Sequence, residues 1–299
     1  MINAKPILAV GSIALDEIKT SHGERETVLG GSATYFSIAA SFFAPVRLVG
    51  IVGSDYPEEG WQLFSKYAVD VTDVQRIEGD TFRWGAQYSD DLSQRKTLYT
   101  HLGVFNDFKP TLSAPNRQTE IVYLANIQPS LQLDICREAT GAKSIISDTM
   151  NLWIANDREG LEKVLKKTQI FMLNDEEAIQ LTQEKTLARA ASWLLEAGPS
   201  AVVIKRGSRG ALIATNHSQI QVPIYPHAKV VDPTGAGDSF AGGFIGLLAA
   251  DANPDLVQAV IQGSATASYT VEGFGLEGLL QATRDGINHR MRTIRHLMD

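Results

Sequence analysis

Cysteine is nearly absent: Cys136 is the only one in 299 residues. An intramolecular disulfide is therefore excluded, and a cysteine-based zinc site has no support. Positive charge is also in short supply. Lys and Arg number 27 against 34 Asp and Glu, for a net charge of -7, so the basic surface that tracks nucleic-acid phosphates is missing and no nucleic-acid partner is expected. Long hydrophobic runs are lacking too. The longest, Phe240 to Ala250, is interrupted by glycines and falls well short of the roughly 18 to 20 residues of a membrane span. The six histidines show no metal spacing, the nearest informative pair being His289 and His296 near the tail. The opening residues, Met-Ile-Asn-Ala-Lys-Pro, hold neither a basic n-region nor a cleavage signal, and a cytoplasmic location is the expectation. No repeat, low-complexity tract or Pro/Ser-rich linker divides the chain, so residues 1–299 are expected to form one domain.

What is present is ordinary globular material, 44% hydrophobic and 20% charged, arranged as short apolar runs between longer amphipathic ones. Strands are expected at Pro6 to Leu15, Val46 to Val52, Glu120 to Ala125, Lys143 to Ser147, Gln169 to Leu173, Ala201 to Lys205 and Ala211 to Thr215. Helical patterns fall at Ser32 to Phe43, Glu58 to Tyr67, Leu161 to Lys167, Glu176 to Leu181 and Leu187 to Ala197. This alternation predicts an α/β fold, a mostly parallel sheet with helices on both faces. Two stretches break the rhythm. Thr81 to Tyr88 and Lys96 to Leu102 are rich in aromatic and β-branched residues and flank a polar turn, a hairpin signal. With Glu17 to Leu29 they predict a small antiparallel β lid formed by about 16–29 and 81–103; an edge hairpin of the main sheet is the simpler alternative.

The segment Val230 to Phe244, VVDPTGAGDSFAGGF, carries the strongest chemical signal. Its glycines free the backbone N–H groups to converge on an anion at a helix N-terminus, where the unsatisfied donors and the macrodipole favour negative charge. Asp238 stands in that first turn, either as a helix cap or as a base beside an anion. No Lys-Ser/Thr pair follows the glycines, so the segment is not a Walker A loop. A serine nucleophile elbow fails at Ala241, where a glycine would be required.

These features resemble the ribokinase-like (PfkB) carbohydrate and nucleoside kinases. Asp232 to Phe244 is similar to their C-terminal signature, Gly30-Gly31 to their N-terminal glycine pair, Asn174-Asp175-Glu176-Glu177 to their Asn-x-x-Glu motif, and Lys205 to Gly210 to the glycine turn beneath their nucleotide. The resemblance implies transfer of the γ-phosphoryl of ATP to an alcohol of a small sugar, nucleoside or polyol. It implies Asp238 as catalytic base and the backbone amides of Gly235, Ala236, Gly237 and Asp238 as an anion hole. On the nucleotide side it implies Asn174, Lys205, Gly207 and Gly210, with Glu177 holding Mg²⁺ through water. By pattern alone, Asn174 to Glu177 is a capped helix start and Gly207 to Gly210 a hairpin turn. Asp232 and Thr234 lie where some relatives bind a monovalent cation.

On the acceptor side the resemblance implies Asp16, Gly30 and Gly31. Tyr35 occupies the place of an asparagine common in relatives, and there it would stack on a ring or offer one hydroxyl. Asn126 and Asp148 follow strands whose C-terminal ends open α/β sheets use for ligands. Phe82, Arg83, Trp84 and Tyr88 would face substrate or a partner's lid, and the resemblance allows a homodimer through the lid. A catalytically silent binding protein on the same scaffold is the rival reading.

Overall fold

Thirteen strands fall into two sheets in the computed structural model, which describes residues 4–251 and 253–299. In chain order the first seven are β1 (Ile7–Val10), β2 (Ala14–Thr20), β3 (Gly23–Gly30), β4 (Val46–Gly53), β5 (Asp70–Ile77), β6 (Phe82–Tyr88) and β7 (Arg95–His101). The rest are β8 (Ile121–Leu124), β9 (Ser144–Ser147), β10 (Ile170–Asn174), β11 (Ala201–Lys205), β12 (Ala211–Thr215) and β13 (Gln219–Val222). Nine of them form the larger sheet, in the order β13-β12-β11-β10-β9-β8-β1-β4-β5. All its pairings are parallel except β11–β12 and β12–β13.

Side-chain alternation explains why these strands read as continuous apolar runs. Ile7 and Ala9 enter one core cluster while Leu8 and Val10 enter another. Likewise Met172 and Val203 face one way, and Phe171, Leu173, Val202 and Ile204 the other. A parallel sheet with both faces covered needs apolar residues at every position. One face packs under the helices Ser32–Ser41, Ala236–Ala250 and Leu256–Thr270. The other lies under Pro129–Glu138, Arg158–Leu165, Asp175–Thr182 and Leu187–Glu196. The tail pattern Arg284 to Arg295 forms a helix over Arg284–His296. None of the described helices is long and apolar enough to cross a membrane.

The smaller sheet runs β3-β2-β6-β7. Each hairpin, β2–β3 and β6–β7, is antiparallel as expected, but the two are joined by a parallel β2–β6 pairing. A second difference concerns Pro6 to Leu15, which is not one strand. The chain leaves the large sheet after Val10 and enters the small one at Ala14. The corner is braced by Ser32, whose N–H donates to Ser12 Oγ at 3.0 Å, while the Ser12 N–H donates back to Ser32 Oγ at 3.3 Å. Gly31, at φ +90°, sits in this corner, and a Cβ there would overlap the Ser12 carbonyl oxygen. Only glycine fits.

The strand order reverses around β1, which lies between β4 and β8. At such a switch point, the C-terminal strand ends leave a crevice for ligand.

Candidate active site

The C-terminal ends of four strands and the start of a fifth supply the crevice. Asn126 and Asp148 follow β8 and β9, Asn174 and Lys205 close β10 and β11, and Asp16 lies just beyond the β1 corner on β2. The helix Ala236–Ala250 begins over them with Gly235 at its N-cap, φ +73° in the left-handed region. A residue with a Cβ would be strained there and would overlap the Tyr35 ring. Gly235 therefore turns the chain so that the N–H groups of Gly237 and Asp238 open the helix without intrahelical partners, while the Ala236 N–H donates to the Pro233 carbonyl at 3.3 Å.

Asp238 is half-buried in the first turn. Burial pushes its carboxyl up to about 7, the charge of Asp148 adding to the shift and the Lys205 ammonium opposing it. Asp16 is 3% exposed and lies against Gly30, where a Cβ would overlap its Oδ2. Burial also pushes the Asp16 carboxyl up to about 7; the Gly31 N–H eases the shift, and the charges of Asp232 and Asp238 increase it. The charge of Asp238 thus reaches Asp16.

Asn174 and Glu177 form a capping box. The Glu177 N–H donates to Asn174 Oδ1 and the Asn174 N–H donates to Glu177 Oε2, both at 2.8 Å. The cap consumes Asn174 Oδ1 but leaves Glu177 Oε1. Burial pushes the Glu177 carboxyl up to about 7, with Asp148 adding and Lys205 opposing. A buried carboxylate so disfavoured as an anion, with one oxygen to spare, fits a hard cation or its water. Among the described residues, no group of three or more His, Cys, Asp or Glu makes a protein-only metal cage.

The turn after β11 is the hairpin turn that the pattern alone predicts. Gly207 to Arg209 is a single 3-10 turn linking antiparallel β11 and β12. Gly207, at φ +53°, faces open space, while a Cβ on Gly210 would overlap the Val222 carbonyl. Gly207 thus leaves its side of the turn open, and Gly210 is required by strand packing. Arg209 pairs with Asp175, tying this turn to the capping-box helix. Lys205, expected at the phosphates, instead has its ammonium 2.6 Å from Asp148 Oδ2, with the two side chains 17% and 5% exposed.

Tyr35 departs from expectation. Its side chain is 1% exposed, packed beneath Gly235, and its hydroxyl has no partner. A ring so enclosed supports the Gly235 turn and cannot stack on an acceptor. Asn126 is oriented by the Trp153 Nε1–H, which donates to its Oδ1 at 3.0 Å. Asp232 is fully buried, and both its oxygens are taken, by the N–H groups of Thr234 and Gly275 at 2.9 Å each. Its side chain holds the loop.

In the lid, Phe82 packs on Phe105 at 5.8 Å between centroids, in the core rather than toward a substrate. Arg83 pairs with Asp55 at 2.8 Å, and Arg95 lies 5.3 Å over the Trp84 ring. The Tyr88 hydroxyl reaches Thr234 Oγ1 at 3.0 Å. Three contributors escaped the sequence reading. Asp55 accepts from the Thr81 N–H and hydroxyl as well as from Arg83, fixing the start of the lid. Gln132, 1% exposed, donates to the carbonyls of Ala125 and Asp148 at 2.9 and 3.0 Å, clamping two strand ends. Gly273, Gly275 and Gly278 have dinucleotide-fingerprint spacing, but they follow a helix rather than a strand, and Gly275 serves Asp232.

The profile of the pfkB family carbohydrate kinases matches residues 3–282. The chain belongs to that family. The pfkB kinase described here is 28% identical over 245 residues to the cytidine kinase of Thermococcus kodakarensis, covering 80% of this chain and 87% of that one. Its fold is shared with the nucleoside kinase of Methanocaldococcus jannaschii at a TM-score of 0.79 and 23% identity, covering 97% of this chain and 98% of that one. An E. coli protein in complex with ATP and Mg²⁺ superposes at 0.82 with 20% identity, covering 97% and 99%. The family makes this chain a sugar or nucleoside kinase, and its two sheets are those of the ribokinase fold.

Proposed function

We propose that this pfkB kinase transfers the γ-phosphoryl of ATP to a hydroxyl of a nucleoside or sugar, with a polyol as the remaining acceptor class. The observation that carries the proposal is the convergence of Asp16 and Asp238. The first is held against the glycine pair, the second stands at the mouth of a helix N-terminus, and their charges interact. Asp16 accepts two acceptor hydroxyls and so aligns the ring, a form of recognition that discriminates strongly against analogues lacking them. Asp238 takes the proton from the attacking hydroxyl, a contribution typically worth about 10²- to 10⁴-fold. The amides of Gly235, Gly237 and Asp238 meet the charge that builds on the transferred group, while that of Ala236 is shared with the Pro233 carbonyl at 3.3 Å.

Mg²⁺, when bound, offsets triphosphate charge; Glu177 Oε1 is the protein oxygen that would hold it, through water. Asn174, Gly207 and Gly210 would border the nucleotide. The nucleoside reading draws support from the relatives, which are named as cytidine and nucleoside kinases. On the family resemblance we also propose that two copies pair through the lid, where β7 is exposed along all seven residues; sedimentation tests this.

The deciding experiment measures ADP release with MgATP across nucleosides, pentoses, hexoses and polyols, with Asp238→Asn as control. Turnover on one acceptor that vanishes in the control supports the proposal. ATP binding without turnover on any acceptor favours the silent binding protein.

A further inference from the structure

Lys205 and Asp148 form a buried ion pair that the proposed chemistry does not use directly. The ammonium lies 2.6 Å from Asp148 Oδ2, and a Cβ built on Gly237 would lie 3.3 Å from it. Lys205 thus sits immediately under the residue preceding the proposed base. Asp148 is itself immobilised. Its N–H donates to the Leu124 carbonyl at 2.9 Å, its Oδ1 accepts from the Thr149 N–H at 2.8 Å, and its carbonyl accepts from Gln132. Lys205 is likewise fixed, since it closes β11 in register with Asn174 of the capping box. A long flexible amine has been given one location.

The charged and titratable groups facing Asp238 come from every neighbouring element. They are Asp148 after β9, Lys205 on β11, Arg95 on β7, Asp16 on β2, and the phenols of Tyr35 and Tyr123. Lys205 also faces Glu177. Of the two cations in this set, Arg95 is exposed and Lys205 is 17% exposed. Solvent screens the first and not the second.

We propose that Lys205, clamped by Asp148, is a positioning residue that sets the ionisation of Asp238 and so keeps the base available at neutral pH, rather than a ligand of the nucleotide phosphates. Burial works against the Lys205 ammonium, but Asp148, Glu177 and Asp238 outweigh it and hold it above the ordinary lysine value. The amine therefore stays charged throughout the range in which Asp238 titrates. Asp148 acts in the opposite sense, because its charge raises the Asp238 carboxyl. The two members of one ion pair thus push the base in opposite directions.

This inference rests on Asp238 being the base, and its test separates the two. The Asp238 carboxyl is titrated by ¹³C NMR in nucleotide-free wild type, Lys205→Met, Lys205→Arg and Asp148→Asn, its signal being assigned by Asp238→Asn. Lys205→Met should raise the midpoint by about one pH unit or more, as expected for loss of a neighbouring opposite charge. Asp148→Asn should lower it, and Lys205→Arg should keep it. The acid limb of kcat/KM should move with each midpoint, while the KM for ATP changes little. Midpoints that stay put, or that move the same way in Lys205→Met and Asp148→Asn, overturn the inference. So does a tenfold rise in the KM for ATP with an unmoved pH profile, which would make Lys205 a phosphate ligand. If Lys205→Met does not fold, Asp148→Asn and Lys205→Arg still decide, because the midpoint must fall in one and hold in the other. Opposed shifts in a protein without kinase activity would sink the role of Asp238 and leave the charge coupling standing.

Discussion

The hydroxyl of Tyr88 lies 3.0 Å from Oγ1 of Thr234, joining the end of a lid strand to the loop that precedes the proposed anion hole across 146 residues of sequence. Tyr88→Phe removes this bond and little else. A neutral hydrogen bond is worth about 1 kcal/mol, so the KM for the acceptor should rise by about fivefold, with the KM for ATP nearly constant. Steady-state kinetics against each substrate checks this. An unchanged acceptor KM would mean that the lid does not close through this contact.

Asp238→Asn should bind nucleotide as wild type does and lose about 10²- to 10⁴-fold in kcat. Calorimetric titration of ATP together with turnover separates the two quantities. Wild-type turnover in this variant would remove Asp238 from the mechanism.

Tyr35→Phe deletes a buried hydroxyl without a partner. Removing an unsatisfied polar atom is neutral or stabilising, so the melting temperature should hold or rise and kcat/KM should not change. Gly235→Ala should do the opposite. Its left-handed backbone and the overlap with the Tyr35 ring should cost about 1–3 kcal/mol and most of the activity. A large loss of acceptor affinity in Tyr35→Phe would restore the tyrosine to the binding site.

The pH dependence has a definite sign. Asp16, Glu177 and Asp238 are each raised to about 7 in the folded protein. Between the ordinary carboxylate range and pH 7 the folded state therefore holds more protons than the unfolded one, so these groups lose stability as pH rises through that window and add no further loss above it. Thermal melts from pH 5 to 8 should show the decline, and Asp238→Asn should flatten it. Activity should run the other way, falling below about pH 7 as the base is protonated. A melting temperature that climbs toward pH 8 with the same slope in wild type and variant would contradict these shifts.

Much of this architecture was legible because its causes are local. Ala201–Lys205 and Ala211–Thr215 matched residue for residue, since two-sided burial writes itself as an unbroken apolar run. Polar edges gave no such signal: β5 (DVTDVQRI) and β13 (QIQV) pair along one side only and were not anticipated. The break after Val10 was hidden inside an apolar stretch, because its cause is contact with Ser32, twenty residues on. The same holds in the crevice. Motif residues such as Asp238 and the Gly30-Gly31 pair stood out by type and spacing, whereas the partners of Lys205 and the burial of Tyr35 depend on which strands become neighbours. Asp55 and Gln132 left no trace in the sequence, their roles arising only from where the lid and the strand ends come to rest.

The capping box has a consequence for anyone who assays this protein. Glu177 Oε2 and Asn174 Oδ1 each hold a backbone amide at 2.8 Å, so the N–H groups of these two residues are built-in gauges of what happens at the nucleotide side of the crevice. A ligand that recruited the whole Glu177 carboxylate would release the Asn174 amide to solvent exchange. One that borrowed only Oε1 would leave it shielded. Two backbone resonances, far easier to follow than any side chain, would thus report the mode of occupancy before a single turnover is measured.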